Sequence, residues 1–302
     1  MATNRTTTLA GAAPAVQEPR PGGRMLRRIS RTAATNPLGV FGAVIILALV
    51  VIGIFAPLIR PYAINQFSGI PNAAPSHAHL FGTDYFGQDI FSRVVQGSRI
   101  SLEVGFISVG LGTLAGLAIG MFSGYSGGGV DGVIMRIVDT AIAFPQLILL
   151  LAVVRVLGPS IRNVIIVIAI AIIPSVARII RGTVLAERQN VYIEAARASG
   201  ASDLRIILRH LTPNVLPLAI VVATTLLGGA ILAEASLSFL GLGIPPPNPS
   251  WGADISASRT HVPLNPWSAL FPGIAISLTV LGFNLLGDAV RDILDPRLRR
   301  GR

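Results

Sequence analysis

The apolar positions of this chain fall into six long runs between clusters of charge, and a helix needs about 20 mainly apolar residues to cross roughly 30 Å of hydrocarbon. The runs cover residues 38–58, 102–125, 133–154, 164–180, 215–234 and 269–286. Each predicts one transmembrane helix, because a lone segment in lipid must satisfy its backbone hydrogen bonds internally. In the third run Arg136 and Asp139 stand three residues apart on one helical face, where pairing lowers the cost of burying either charge. Glu234 closes the fifth run; it is placed either to line or gate a path or to snorkel to the interface. Pro145, Pro174 and Pro217 predict kinks or helix ends.

Composition agrees with an all-α integral membrane protein. Of 302 residues 52% are apolar and 13% charged, where soluble domains carry about 25% charge; mean hydropathy is +0.68. All 24 basic residues are arginine. Without lysine there is no P-loop of the form G-x-x-x-x-G-K-[ST] and no Schiff-base nucleophile, so any ATP that drives this protein is hydrolysed by another chain. Without cysteine, disulfides and thiolate metal sites are excluded. Assigning segments alternately to the two sides puts 18 arginines on the side of the termini and 6 on the other, which predicts cytoplasmic termini.

The domain organisation read this way is a basic cytoplasmic tail 1-36, a first transmembrane helix 37-58, an external loop 59-99, a five-helix core 100-290 and a cytoplasmic tail 291-302. Residues 1-23 are rich in Ala, Thr, Pro and Gly and are expected to be disordered. Residues 24–31 read as a basic segment facing anionic lipid. The first apolar run exceeds the h-region of a signal peptide and no A-x-A-like site follows it. The charged C-terminal residues Asp288, Arg291, Asp292, Asp295 and Arg297 read as an exposed, charge-paired helix end.

The loop 182-213, between the fourth and fifth runs, carries a helical pattern of its own. Residues 191–214 read as helix, break, helix. Gly200 suits a left-handed cap, Ser202 can N-cap the second helix with Asp203 in its first turn, and Pro213 limits it. Ala195, Ala196 and Ala198 around Glu194 allow close approach to another surface, so the first helix could enter a partner's groove. On pattern alone the segment reads equally as an interfacial hairpin without a partner.

The run Glu194-Ala195-Ala196, Gly200 and the Leu-Thr-Pro that ends at Pro213 resembles the EAA loop of ABC-importer permeases. Thr212 and His210 stand where that pattern has apolar residues. HLFGTDYFGQDIFSR, from His79 to Arg93, resembles the H-x-x-G-T-D-x-x-G-R-D-x-x-S-R signature of dipeptide and oligopeptide permeases, with Gln88 in place of arginine. EASLSFLGLGIPPPNPSWG, from Glu234, and FNLLGDAVRDILDPRLR, from Phe283, are similar to the C-type subunit of that group.

The resemblance implies a type I ABC importer permease fold with six transmembrane helices in a bacterial cell membrane. It implies a homologous permease as heterodimer partner, two P-loop ATPase subunits or a fused one, and an extracytoplasmic substrate-binding protein. ATP and Mg²⁺ would be bound by the ATPases, with no cofactor, metal or nucleic acid bound by this chain. Glu194, Ala195, Ala196, Gly200, Asp203 and Pro213 would couple to the ATPase. His79, Gly82, Thr83, Asp84, Asp89, Arg93, Glu234 and Trp251 would contact the binding protein or form an external gate. The cargo implied is di- or oligopeptides, with nickel, glutathione or haem as alternatives.

Local readings stand beside these roles. Asp84 and Asp89 suit Asx-type turns between the tight turns of Gly82 and Gly87; Ca²⁺ at this acidic pair, or a metal at His77-x-His79, is the less favoured reading. The proline run 245–249 reads as a stiff loop that sets Trp251 at the membrane interface. A secondary transporter would need ionisable groups near the midplane, where these runs are nearly empty. Gly124-Tyr125-Ser126-Gly127-Gly128 matches G-x-S-x-G, with His210 on the same side, and an intramembrane serine protease would lose activity in Ser126→Ala.

Overall fold

Long apolar runs without an internal break become long helices, and the computed structural model, which describes residues 36–294, contains helices and no named strand among them. In chain order they are α1 (Pro37–Ile54), α2 (Ala56–Ile59), α3 (Ile90–Ser126), α4 (Gly128–Ala143), α5 (Gln146–Leu157), α6 (Ile161–Glu187), α7 (Val191–Ala198), α8 (Asp203–Phe239), α9 (Trp251–Ser258) and α10 (Trp267–Leu294). The expectations for 1-23 and 24–31, and for Asp295 and Arg297, lie outside the described residues.

Five of these helices are long and apolar enough to cross a membrane. The third expected run differs. Phe144 precedes Pro145, whose ring disfavours the α conformation at its neighbour, and takes up extended geometry (φ −79°, ψ 134°). The run therefore splits into α4 and α5, which meet at 91° and make a sixth, broken passage. Pro174 and Pro217 end nothing; both lie inside helices, as does Pro272.

The second run is also longer than its apolar stretch. α3 begins at Ile90 because Asp89 caps it, its carboxylate accepting from the amide of Ser92 at 2.8 Å. Its 37 residues span about 55 Å at 1.5 Å per residue.

α3 and α6 make the most extensive pair of the fold. Gly112, Gly116, Gly120 and Gly124 recur every fourth residue on α3, and a Cβ on each would stand within 3.0 Å of Ile172, Val176, Ile180 and Val184 on α6. Lipid tails are as apolar as these side chains, so the pair is held by close packing rather than by escape from water. The matched order of the contacts makes α3 and α6 parallel, so α4 and α5 together connect opposite ends of the bundle. α1 runs the other way, with Gly42 against Leu285 near one end and Gly53 against Arg99 near the other. α1 thus begins, and α10 ends, at the end of the bundle that carries α7.

Candidate functional site

At the α7 end, a short helix stands off the bundle. Gly200 (φ +79°) closes it in a Schellman motif: its amide bonds to the carbonyl of Arg197, and that of Ala201 to Ala196. Ile193 is fully buried, in the same apolar core as Ile206, Leu211 and Val215. Glu194, Ala195, Arg197 and Ala198 are exposed, and Ala196 is half-buried. One side of α7 is thereby anchored while the small-residue side is bare.

Polar ties fasten α7 to three long helices. The Tyr192 hydroxyl donates to Glu187 of α6 at 2.8 Å and accepts from Asn214 of α8 at 2.9 Å. The Tyr125 hydroxyl at the end of α3 donates to Asp203, and Arg197 reaches the same hydroxyl at 3.5 Å. Arg188 donates to the carbonyls of Gly124 and Tyr125. Arg181 of α6 grips Asp131 of α4, which also accepts from Ser123.

Three local expectations are corrected here. Asp139 pairs with Arg178 of α6 and not with Arg136. Asp203 starts its helix after Ser202, whose side chain makes no cap bond. Pro213 does not limit that helix: α8 continues through it to Phe239. Proline has no amide to donate, and the turn before it widens into a π-helix, Ile206–Leu211, with the amide and hydroxyl of Thr212 both on the carbonyl of Ile207.

At the opposite end, the His79–Arg93 signature folds into a knot that caps α3. Gly82 and Gly87 take φ of +80° and +77°, and a Cβ on either would lie 2.4 Å from a backbone oxygen, of Ala73 and Gly69 respectively. Asp84 makes the expected Asx-type turn, its Oδ1 accepting from Phe86 at 2.9 Å and Gln88 at 2.8 Å. Burial pushes the Asp84 carboxyl above its ordinary range, against the pull of those amides and of Arg93. Asp89 holds Ser92 and accepts from His79 at 2.9 Å. Thr83 hydrogen-bonds to Ile70 and Ala73, and Asn265 donates to its carbonyl at 2.7 Å.

Arg93 spans from this knot to α9, with Nη1 on Gln88 at 2.8 Å and Nε and Nη2 on Asp254. Trp251 is fully buried, not interfacial: its Nε1 donates to the carbonyl of Val94 at 2.9 Å, and its ring covers Gly97. Glu234 is fully buried too and does not snorkel to the interface. Its carboxylate accepts from Ser101 at 3.0 Å and from Ser238 and Ser250 at 2.8 Å each, tying α3 to α8 and to the start of α9. The signature residues thus hold the cap together, while Phe67, Ile70, Leu80, Phe86 and Leu264 are among its exposed apolar side chains.

The Gly124–Gly128 match to G-x-S-x-G is the last turn of α3, the joint at Gly127 and the first residue of α4, with positive φ at Gly127 and Gly128 and no hydrogen bond between Ser126 and His210 among the described residues.

Comparison with known proteins places this geometry. Residues 116–300 match the model of the binding-protein-dependent transport system inner membrane component, and residues 24–75 that of the N-terminal transmembrane domain of oligopeptide transport permease C. The chain is 44% identical over 270 residues to the dipeptide transport system permease protein DppC of Alkalihalophilus pseudofirmus, covering 87% of each. It is 42% identical over 275 residues to the glutathione transport system permease protein GsiD of Pectobacterium atrosepticum, covering 90% of each. Among solved structures, the inward-facing MetNI methionine ABC transporter shares the fold at a TM-score of 0.56 and 22% identity, over 67% of this chain and 96% of that one.

Proposed function

The chain belongs to the family of binding-protein-dependent transport system inner membrane components, as an ABC-transporter permease of the dipeptide/oligopeptide type, and on that premise we propose that it forms half of the path of an ATP-driven importer and is coupled to ATPase subunits through α7. The other half is a homologous permease. ATP and Mg²⁺ belong to two ATPase chains, since this lysine-free chain has no P-loop. Cargo arrives on an external binding protein. Relatives named for dipeptide and for glutathione support short peptides as its class.

The observation that carries the coupling role is a helix with one face anchored by Ile193 and the other bare, tied to α3, α6 and α8. A push on α7 is shared by three membrane helices and becomes a rigid-body movement of the bundle. Glu194, Ala195 and Ala196 sit on this helix, Gly200 ends it, and Asp203 and Pro213 belong to the helix that receives the push. The arginine excess supports a cytoplasmic position for the α7 end. The cap then faces outward, where its buried signature residues fix the shape that the binding protein meets.

The experiment is affinity capture through a C-terminal tag from native membranes, paired with uptake and ATPase assays. Wild type brings down a second permease and P-loop ATPases. Glu194→Arg and Gly200→Asp insert normally but lose uptake per ATP hydrolysed. A chain that purifies without any ATPase in several mild detergents, or normal uptake in both variants, overturns the proposal.

A further inference from the structure

The broken passage leaves polar backbone groups inside the apolar part of the bundle. α4 ends at Ala143 and α5 starts at Gln146, at 91° to each other. The amide of Phe144 makes no bond back to α4, and the first α5 amide to find a backbone partner is that of Leu149, on the carbonyl of Pro145 at 3.1 Å. No side chain caps the start of α5. The amides of Phe144, Gln146, Leu147 and Ile148 are thus without a partner among the described residues, and every residue of 142–148 is exposed.

This elbow also lies deep. Leu147 lines a groove with Leu232 and Ser236 of α8 and Ile276 of α10, and Ile276 is about 14 Å along α10 from Trp267 at 1.5 Å per residue. Gln146 lines a second groove, of about 410 Å³, with Leu226, Gly229 and Ser236 of α8. Leu226 is about 16 Å past Val215, where the apolar run of α8 begins. Both distances approach half of a hydrocarbon layer roughly 30 Å thick. Lipid offers these amides no partner, and irregular backbone at such depth persists only where protein covers it or water reaches it. A neighbouring transmembrane helix has its own backbone bonded internally and cannot satisfy four amides, whereas water can. The groove is open enough to hold water: Gln146 is exposed, Ser236 is half-buried, and a Cβ on Gly229 would meet nothing within 4 Å.

We propose that the elbow at residues 144–148 lines the water-filled path of the importer, where its unpaired amides and the Gln146 side chain exchange hydrogen bonds with water and with the amide groups of passing peptides. Uncharged donors and acceptors of this kind meet any peptide main chain alike, whatever side chains it carries. The place in a peptide path rests on the transport reading; hydration of the elbow does not.

The test uses the assembled complex in proteoliposomes and the absence of cysteine from this chain. Gln146→Cys and Phe144→Cys each place a single thiol at the elbow, and Leu47→Cys, at an exposed apolar position midway along α1, is the reference. Two elbow positions keep the test open where one substitution disrupts assembly. Modification of this chain by a charged, membrane-impermeant methanethiosulfonate is followed by mass spectrometry. The elbow thiols are expected to react about tenfold or more faster than the reference, because hydration favours the reactive thiolate. The charged adduct at Gln146→Cys should then block uptake of labelled dialanine, while wild type treated in the same way keeps it. Elbow thiols that react as slowly as the reference overturn the proposal, and uptake unchanged by a complete adduct overturns the place of the elbow in the path. Dialanine uptake by untreated wild type is measured first, so that a complex that carries no peptide is told apart from an elbow that meets no water.

Discussion

Ile193→Ala separates anchoring of the coupling helix from its chemistry, because the substituted side chain lies beneath α7 and away from the bare face. Ile193 is fully buried among Ile206, Leu211 and Val215, and truncating such a residue to alanine costs about 2–5 kcal/mol. The loss falls on docking of an eight-residue helix whose other ties are exposed hydrogen bonds of about 1 kcal/mol each. A loss of about 3 kcal/mol multiplies the undocked fraction roughly 100-fold. Hydrogen exchange should therefore show the amides of Val191–Ala198 losing protection while α3 and α6 keep theirs. In proteoliposomes, ATPase chains should still copurify, and uptake per ATP should fall several-fold. Undocking of α7 with wild-type uptake per ATP would refute the claim that force enters the bundle through this anchor.

Three further outcomes follow from the packing and the cap. Gly120→Ala puts a methyl 2.5 Å from the carbonyl oxygen of Ala177; it should cost about 1–3 kcal/mol, seen as a lower melting temperature in detergent, whereas alanine at Gly110, with open space around it, should not. Glu234→Leu leaves the hydroxyls of Ser101, Ser238 and Ser250 without their shared acceptor; at about 1–3 kcal/mol for an unsatisfied buried group, amide protection of α9 should fall, and Glu234→Gln should be much milder. Asp84 has its folded-state pKa raised by burial, so its contribution to stability is full below its unfolded pKa and is lost as pH rises through the folded one. Asp84→Asn should therefore protect residues 82–89 better than wild type at neutral pH, with the difference closing toward about pH 4, and a pH-independent difference would contradict the buried-acid account.

Much of this architecture is visible in the sequence because hydrophobicity and glycine act locally. The six apolar runs give the passages, Gly200 gives the cap of α7, and Asp84 gives a turn, each from chemistry within a few residues, whereas Asp89, read as a turn residue, caps α3. What depends on distant partners was hidden. Asp139 reads as the neighbour of Arg136 on one helix, yet the bend at Phe144–Pro145 and the course of α6 deliver Arg178 to it instead. Glu234 and Trp251 look like interfacial residues until α9, an eight-residue helix inside a presumed loop, folds back over them. The exposed-or-buried status of the signature motif is likewise a tertiary property. One signal was legible and missed: the four-residue spacing of Gly112, Gly116, Gly120 and Gly124 matches that of Ile172, Val176, Ile180 and Val184, and two such stripes announce a close helix pair.

The absence of cysteine from the chain allows one measurement to address the central claim directly. Ala198→Cys places a single thiol on the bare face of α7, and a short maleimide–diazirine photocross-linker added to native membranes, which needs no thiol on the partner, reports what lies within reach of it. The account predicts an adduct with a P-loop ATPase chain, identified by mass spectrometry, whose yield changes when ATP is trapped. A thiol that labels fully with a monofunctional maleimide yet never cross-links to an ATPase would contradict the coupling role of α7.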